Sequence, residues 1–234
     1  MKFYFLLLIS VFPMLNVLAH TCHPEKIKCP IDGNKVEFCV TMSMSVFGNT
    51  MDFQKQGAIG SYYEESINSC KKCNFSGYYE DFEKEYTTEE KQSIINVISK
   101  YKGKKLNEYQ ECNVAAEIKI ALNETNNEIA NCYLVGSYMA RDYNADENER
   151  YHFQEKAIQY FEKGIDKNEF KEDLNYEATI NYLIGELYRR IGKFSEAIKY
   201  FDLAITAQNK EDWLEEITLK QKEMALSNDS NNKI

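Results

Sequence analysis

The sequence predicts a mainly α protein: a tetratricopeptide-like helical repeat stack with a small β-rich knuckle module at its N-terminus. Three observations carry that expectation. Only 3 prolines and 10 glycines occur in 234 residues, so helices can run long, while 17 tyrosines and 13 phenylalanines supply rings to pack between them. Two segments of the second half repeat one another, and before about residue 82 the apolar pattern is alternating rather than helical.

Residues 1–19, MKFYFLLLISVFPMLNVLA, join one charge at Lys2 to an apolar run from Phe3 to Phe12 and small or medium residues at Val17 and Ala19. This is a secretory signal pattern with cleavage after Ala19. Pro13 and Asn16 interrupt a segment already at the short limit for spanning a bilayer, so no stable membrane span is expected after cleavage. The product would be exported, periplasmic or extracellular. All seven cysteines survive cleavage, an oxidising compartment opens them to disulfides, and the odd count leaves at least one thiol unpaired.

Residues 20–86 read as the β-rich module. Val36, Phe38, Val40, Met42, Met44 and Val46 alternate with Glu37, Cys39, Thr41, Ser43 and Ser45, the pattern of a half-buried strand. Cys39 falls on its polar face, available for a bond or a ligand. A glycine-punctuated stretch from Gly48 to Gly60 leads to Cys70-Lys-Lys-Cys73 and a tight turn at Asn74-Phe-Ser-Gly77.

Residues 87–226 read as the helical repeat domain. Thr87-Thr-Glu-Glu90 is a helix start whose acids suit the positive end of the dipole. Ile94, Ile95, Val97 and Ile98 give one apolar face, and Ala115, Ile118, Ala121 and Leu122 another. Tyr133-Leu-Val-Gly-Ser-Tyr-Met-Ala-Arg141 then aligns with Tyr182-Leu-Ile-Gly-Glu-Leu-Tyr-Arg-Arg190, and Glu155–Ile165 with Ser195–Ile205. In the second unit Gly185, Tyr188, Gly192, Phe194, Ala197, Phe201 and Ala204 have tetratricopeptide spacing. Gly185 and Ala197 are small where two helices would cross closely, and Phe201 fills the gap between them. The first unit keeps Gly136, Ala157, Phe161 and Gly164, with nine extra residues within Asn144–His152 that lengthen its turn or its second helix. Asp212–Ile217 opens a terminal helix in which Trp213 and Leu214 cover the last exposed face. Residues 227–234 are a polar, disordered tail.

A net charge of −9 without a basic cluster excludes a nucleic-acid phosphate groove. The three histidines, His20, His23 and His152, join no G-x-S-x-G, H-E-x-x-H or glycine-rich phosphate loop, so no catalytic constellation is legible. The cysteine module is the sharper candidate. Cys70-x-x-Cys73 aims two thiolates at one point, as a structural zinc knuckle requires, and zinc needs four ligands. Cys29 and Asp32 could supply the other two, giving a Zn2+ site of Cys29, Asp32, Cys70 and Cys73. On residue chemistry alone, Asp32-Gly33 is first a turn dipeptide before a strand. Disulfides between Cys70 and Cys73, or with Cys22, Cys29 or Cys39, compete with the metal reading. Cys39, or Cys22 with His23, could supply the fourth ligand instead. Cys112 and Cys132 read as buried small side chains without a mutual bond. In the repeats, Tyr133, Ser137 and Arg141 stand at positions equivalent to Tyr182, Glu186 and Arg190, lining a groove for an acidic or C-terminal peptide of a cell-envelope protein.

CPIDG before the alternating strand, CKKCNFSGYYEDF beyond it, and EIANCYLVGSYMARDYNADENERYHFQEKAIQYFEKGI after that resemble, in this order, a bacterial family named domain of unknown function 2225. The resemblance covers roughly Lys28 to Asn209 and implies a zinc-ribbon-like start with a tetratricopeptide-like remainder. It also implies that Cys29 joins Cys70 and Cys73, and that the protein is bacterial and exported. Members often carry a second cysteine where this chain has Asp32, so the chain departs from the metal pattern there. The family brings no activity with it. The expectation is an exported, non-catalytic protein-interaction module with a metal- or disulfide-stapled knuckle. The alternative is metal handling or thiol-redox chemistry through the N-terminal cysteines.

Overall fold

A computed structural model describes residues 20–170, 174–208 and 210–231. The leader read at residues 1–19 lies outside them. Strands β1 (His20–Lys28) and β2 (Lys35–Met44) form an antiparallel hairpin, with Ile27 opposite Val36 and Glu25 opposite Phe38. Val36 and Phe38 are buried at its base, but Val40 and Met42 on the same face are 37% and 72% exposed. The half-buried strand expected over residues 36–46 is therefore buried only in its first half, because the distal hairpin projects beyond the core. The chain then makes a second hairpin, β3 (Val46–Asn49) with β4 (Lys55–Gly57), and a short third pairing, β5 (Asn68–Ser69) with β6 (Ser76–Gly77).

Phe38 meets Tyr79 and Phe82 edge-on at 5.3 and 4.9 Å, and Phe75 meets Phe82 at 4.8 Å. Tyr79 and Phe82 lie on α1 (Tyr79–Glu83). Ile94, Val97 and Ile98 of α2 (Thr88–Ile98) and Val114 and Ile118 of α3 (Glu108–Ala121) complete the same cluster. One core thus runs from the knuckle module into the first helices. Helix starts are written locally. The side chains of Thr87, Asn107 and Thr125 each accept an amide hydrogen bond three residues on, and Glu90, Gln110 and Glu128 reach back to the cap amide. Each such reciprocal box contributes about 1 kcal/mol.

The remaining helices form a packed stack. The first repeated unit is α4 (Asn126–Asp142) with α5 (Glu147–Asp166), the second α6 (Leu174–Arg190) with α7 (Phe194–Thr206), and α8 (Asp212–Leu226) packs on α7. Most of the extra residues of the first unit go into its second helix, which has 20 residues against 13 in α7 and starts from an Asp146 cap. That extension moves the crossing point. A Cβ on Gly185 would lie 2.7 Å from the Phe201 ring and 3.2 Å from the Ala197 carbonyl oxygen. On Gly136 it would strike Phe153, about two turns before Phe161, the residue aligned with Phe201. The small residue is kept in both units, while its partner is set by helix length.

Leu214 is fully buried at the end of the stack, but Trp213 is half exposed and leans edge-on against Phe53, 6.1 Å away. Residues 227–231, assigned in sequence to a disordered tail, lie beside Arg189. Its buried guanidinium donates through Nη1 to the carbonyls of Asp229 and Asn231 at 2.8 and 3.1 Å. Among the described residues, no helix is long and apolar enough to cross a membrane.

Candidate functional site

The two cysteine turns share one backbone design. The Cys29 amide donates to the Asn34 carbonyl at 2.8 Å, and the Gly33 amide returns to the Cys29 carbonyl at 2.9 Å. In the second turn the Cys70 amide donates to the Phe75 carbonyl and the Asn74 amide to the Cys70 carbonyl, both at 2.8 Å. The fifth residue of each adopts positive φ, Gly33 at 70° and Asn74 at 63°, the two residue types that tolerate it best. Asn74 also anchors its turn to the segment after α2, donating to the Tyr101 carbonyl at 2.7 Å.

Asp32 therefore stands in the first turn where Cys73 stands in the second. Its carboxylate accepts from the Asn34 amide at 3.0 Å, which is turn chemistry, and lies 3.5 Å from the Cys70 sulfur, which is site chemistry. The two readings of Asp32 hold together. Cys29 Sγ is 3.6 Å from Cys73 Sγ, and the ligand atoms of Cys29, Asp32, Cys70 and Cys73 all lie within 4.8 Å of one another. These four residues are positioned to bind a metal ion.

The thiols share protons unequally. The hydrogen bond from Cys73 brings Cys29 down to about 7 against the upward pull of burial, and the same bond, reinforced by burial, pushes Cys73 far up. Burial raises Cys70. For Asp32 burial opposes ionisation, but hydrogen bonds from Asn34, Cys29 and Cys70 hold the carboxyl below its ordinary value. Cys29 is thus the thiol readiest to carry charge.

The other cysteines are elsewhere. Cys22 and Cys39, weighed as alternative ligands, form a disulfide across the first hairpin with their Cα atoms 5.2 Å apart. Cys112 and Cys132 are free and buried, and burial raises both, Cys132 to about 12, so neither is a ready nucleophile.

A second constellation forms on the repeat helices. Asp52, from the tip between β3 and β4, is fully buried. Arg141 Nη2 lies 2.6 Å from its Oδ2 and Arg190 Nη2 3.3 Å from its Oδ1, so equivalent arginines of the two units close on one carboxylate. Tyr138 donates to the Asp52 carbonyl and Tyr182 to the Met51 carbonyl, the latter at 2.7 Å. Phe53 packs at 5.2 Å from Tyr182. Burial opposes the charge on Asp52, but Arg190 and then Arg141 outweigh it and hold the carboxyl below its usual range. Arg141 is the nearer, yet its side chain is 21% exposed against 2% for Arg190, and water weakens its influence.

Of the six groove residues expected from sequence, Arg141, Tyr182 and Arg190 converge here. Glu186 stands behind them, buried, accepting from Arg189 and Arg190. Tyr133 is not brought to this place: it stacks on Tyr160 at 5.8 Å. Ser137 is buried and donates to the Leu134 carbonyl. Sequence reasoning missed Asp52, Phe53 and Tyr138. The available signal was Asp52 itself, the sole charge between Gly48 and Lys55 and flanked by Met51 and Phe53.

A family model described as an uncharacterized protein conserved in bacteria, DUF2225, matches residues 23–225. The chain belongs to this family. The match runs from the disulfide hairpin through both helical units to the last turn of α8, so cysteine turns and stack are parts of one family architecture. No curated protein and no solved structure matches the chain.

Proposed function

We propose that this chain is an exported, non-catalytic interaction module whose knuckle is held by a structural zinc ion at Cys29, Asp32, Cys70 and Cys73. The observation that carries the proposal is the closed ligand set. Tetrahedral zinc with Zn–S bonds of about 2.3 Å sets neighbouring ligand atoms roughly 3.5–3.8 Å apart. Cys29 and Cys73 are separated by 3.6 Å, and Cys70 and Asp32 by 3.5 Å. Four protein ligands leave no open position for substrate or water, which is the arrangement of a structural site. Zinc there would offset part of the charge of the clustered thiolates and tie the two turns together.

Export is supported by the Cys22–Cys39 disulfide, a bond that persists in oxidising compartments, together with the leader pattern read from the sequence of residues 1–19. The interaction role is supported by the tetratricopeptide-like spacing of the helical units and by their paired arginines, which suit an acidic peptide of a cell-envelope protein. The 3.6 Å approach of Cys29 and Cys73 also favours a second reading, thiol exchange or metal handling by those cysteines.

Metal content and thiol titration of protein purified from an oxidising compartment test the proposal. One zinc per chain is expected, with the five free cysteines titrating after denaturation and chelation while Cys22 and Cys39 stay oxidised. Cys73→Ser should abolish stoichiometric zinc, and Asp32→Cys should keep it. Metal-free protein with a Cys29–Cys73 disulfide would sink the structural-zinc reading and favour the redox one.

A further inference from the structure

Resting on the interaction-module reading, we propose that the cleft closed by Arg141 and Arg190 is a receptor for an acidic-aromatic turn. The chain's own Thr50–Gln54 occupies it, and a partner segment carrying a carboxylate followed by an aromatic residue enters by displacing that tip.

The contacts to the tip are those of ligand recognition. A carboxylate sits between two guanidinium groups, two tyrosine hydroxyls read consecutive main-chain carbonyls, and a phenyl ring lies between Tyr182 and Trp213. Gln54 adds an amide hydrogen bond to Asp142 at 2.7 Å. The tip is a compact turn of its own: the Phe53 amide donates to the Thr50 carbonyl at 2.9 Å and the Thr50 amide to the Gln54 carbonyl at 2.8 Å. A short peptide can reproduce such a motif.

Three features say that the occupant can leave. Phe53 has φ of 65°, a conformation that a bulky side chain adopts at a cost and that the cleft contacts must hold. The hairpin carrying the tip is exposed along β3, and Gly48 within it and Gly60 beyond β4 both adopt positive φ. Finally, Arg190 Nη1 is buried with no hydrogen-bond partner among the described residues, so the resident turn leaves one of the cleft's donors unmet. A partner with one further acceptor would match the cleft better than the tip does.

The probe is a fluorescent, end-blocked peptide of residues 48–56, tested against the full chain. Because the tethered tip competes at high effective concentration, the emptied variant Asp52→Ala/Phe53→Ala should bind the probe at least tenfold more tightly than the native protein. Adding Arg141→Ala to that variant should weaken binding at least tenfold, as should replacing aspartate by asparagine in the probe. Absence of saturable binding to a folded emptied variant would overturn the proposal.

Should that variant not fold, hydrogen exchange on the native protein decides. Saturating probe should speed exchange of the Thr50 and Phe53 amides at least tenfold, and unchanged exchange overturns the proposal. Concentration-dependent dimers that trade tips would overturn it in favour of a second copy as occupant. If native and emptied proteins capture the same envelope partner equally while the probe does not bind, the receptor proposal falls and the interaction-module reading stands. Probe binding without any captured partner supports the receptor and removes that wider reading.

Discussion

Replacing Asp52 by alanine removes a fully buried carboxylate from between two arginines. Breaking a buried pair this way costs about 3–5 kcal/mol, because the surviving charge is left unpaired. The structure places this site at the low end. Arg190 keeps Glu186 Oε1 2.7 Å from its Nε, and Arg141 is exposed enough to reach water. The cost is also capped by the free energy of lifting the tip, since lifting rehydrates both guanidinium groups. We expect about 3 kcal/mol at pH 7, which corresponds to a lifted population of roughly 1% or somewhat less. Urea unfolding of native protein, Asp52→Ala, Arg141→Ala, Arg190→Ala and the two double variants gives the coupling energies. Asp52 should couple more strongly to Arg190 than to Arg141 despite the longer contact, because Arg190 is the drier. The sign of the pH dependence follows from the depressed Asp52 carboxyl. Such a group contributes fully above its unfolded value of about 4, and the contribution disappears as pH falls through the lower folded value. The gap between native protein and Asp52→Ala should therefore be constant above about pH 5 and narrow below about 4. A gap under about 1 kcal/mol at pH 7, or one unchanged at low pH, would refute the clamp.

Two further outcomes are expected. Gly185→Ala should destabilise by about 1–2 kcal/mol in thermal melts, overpacking at 2.7 Å from the fully buried Phe201 ring outweighing roughly 1 kcal/mol of helix propensity. A neutral or stabilised variant would mean that α6 and α7 do not cross at that contact. Cys39→Ser opens a disulfide spanning 17 residues, nominally worth about 3 kcal/mol. Because the distal hairpin projects from the core, the loss should appear as faster amide exchange in residues 20–44, with little change in the melting of the helices. Equal destabilisation of α6 and α7 would contradict that independence.

Much of this architecture was legible because its cause is local. Thr87 three residues ahead of Glu90 starts α2 from sequence alone, and glycine beside a repeated aromatic marks a close crossing. The ligand pairing of Cys29 with Cys70 and Cys73 came from family resemblance, and the identical hydrogen bonding of the two turns now supplies its geometry. Cys39 on the polar strand face followed from alternation, whereas its bond to Cys22 depended on the register of β1 against β2.

The sequence by itself determined the class of fold, the helix start at Thr87 and the repeated units. Each follows from propensity, periodicity or spacing within a few residues. Only the tertiary structure decided that the repeat arginines hold Asp52, that Tyr133 and Ser137 do not join them, and that the longer α5 moves the Gly136 contact to Phe153. The reason is range. Asp52 lies 89 residues from Arg141 in the chain, and no local pattern records that a hairpin tip will reach across a helical stack to pair with an arginine from each repeated unit.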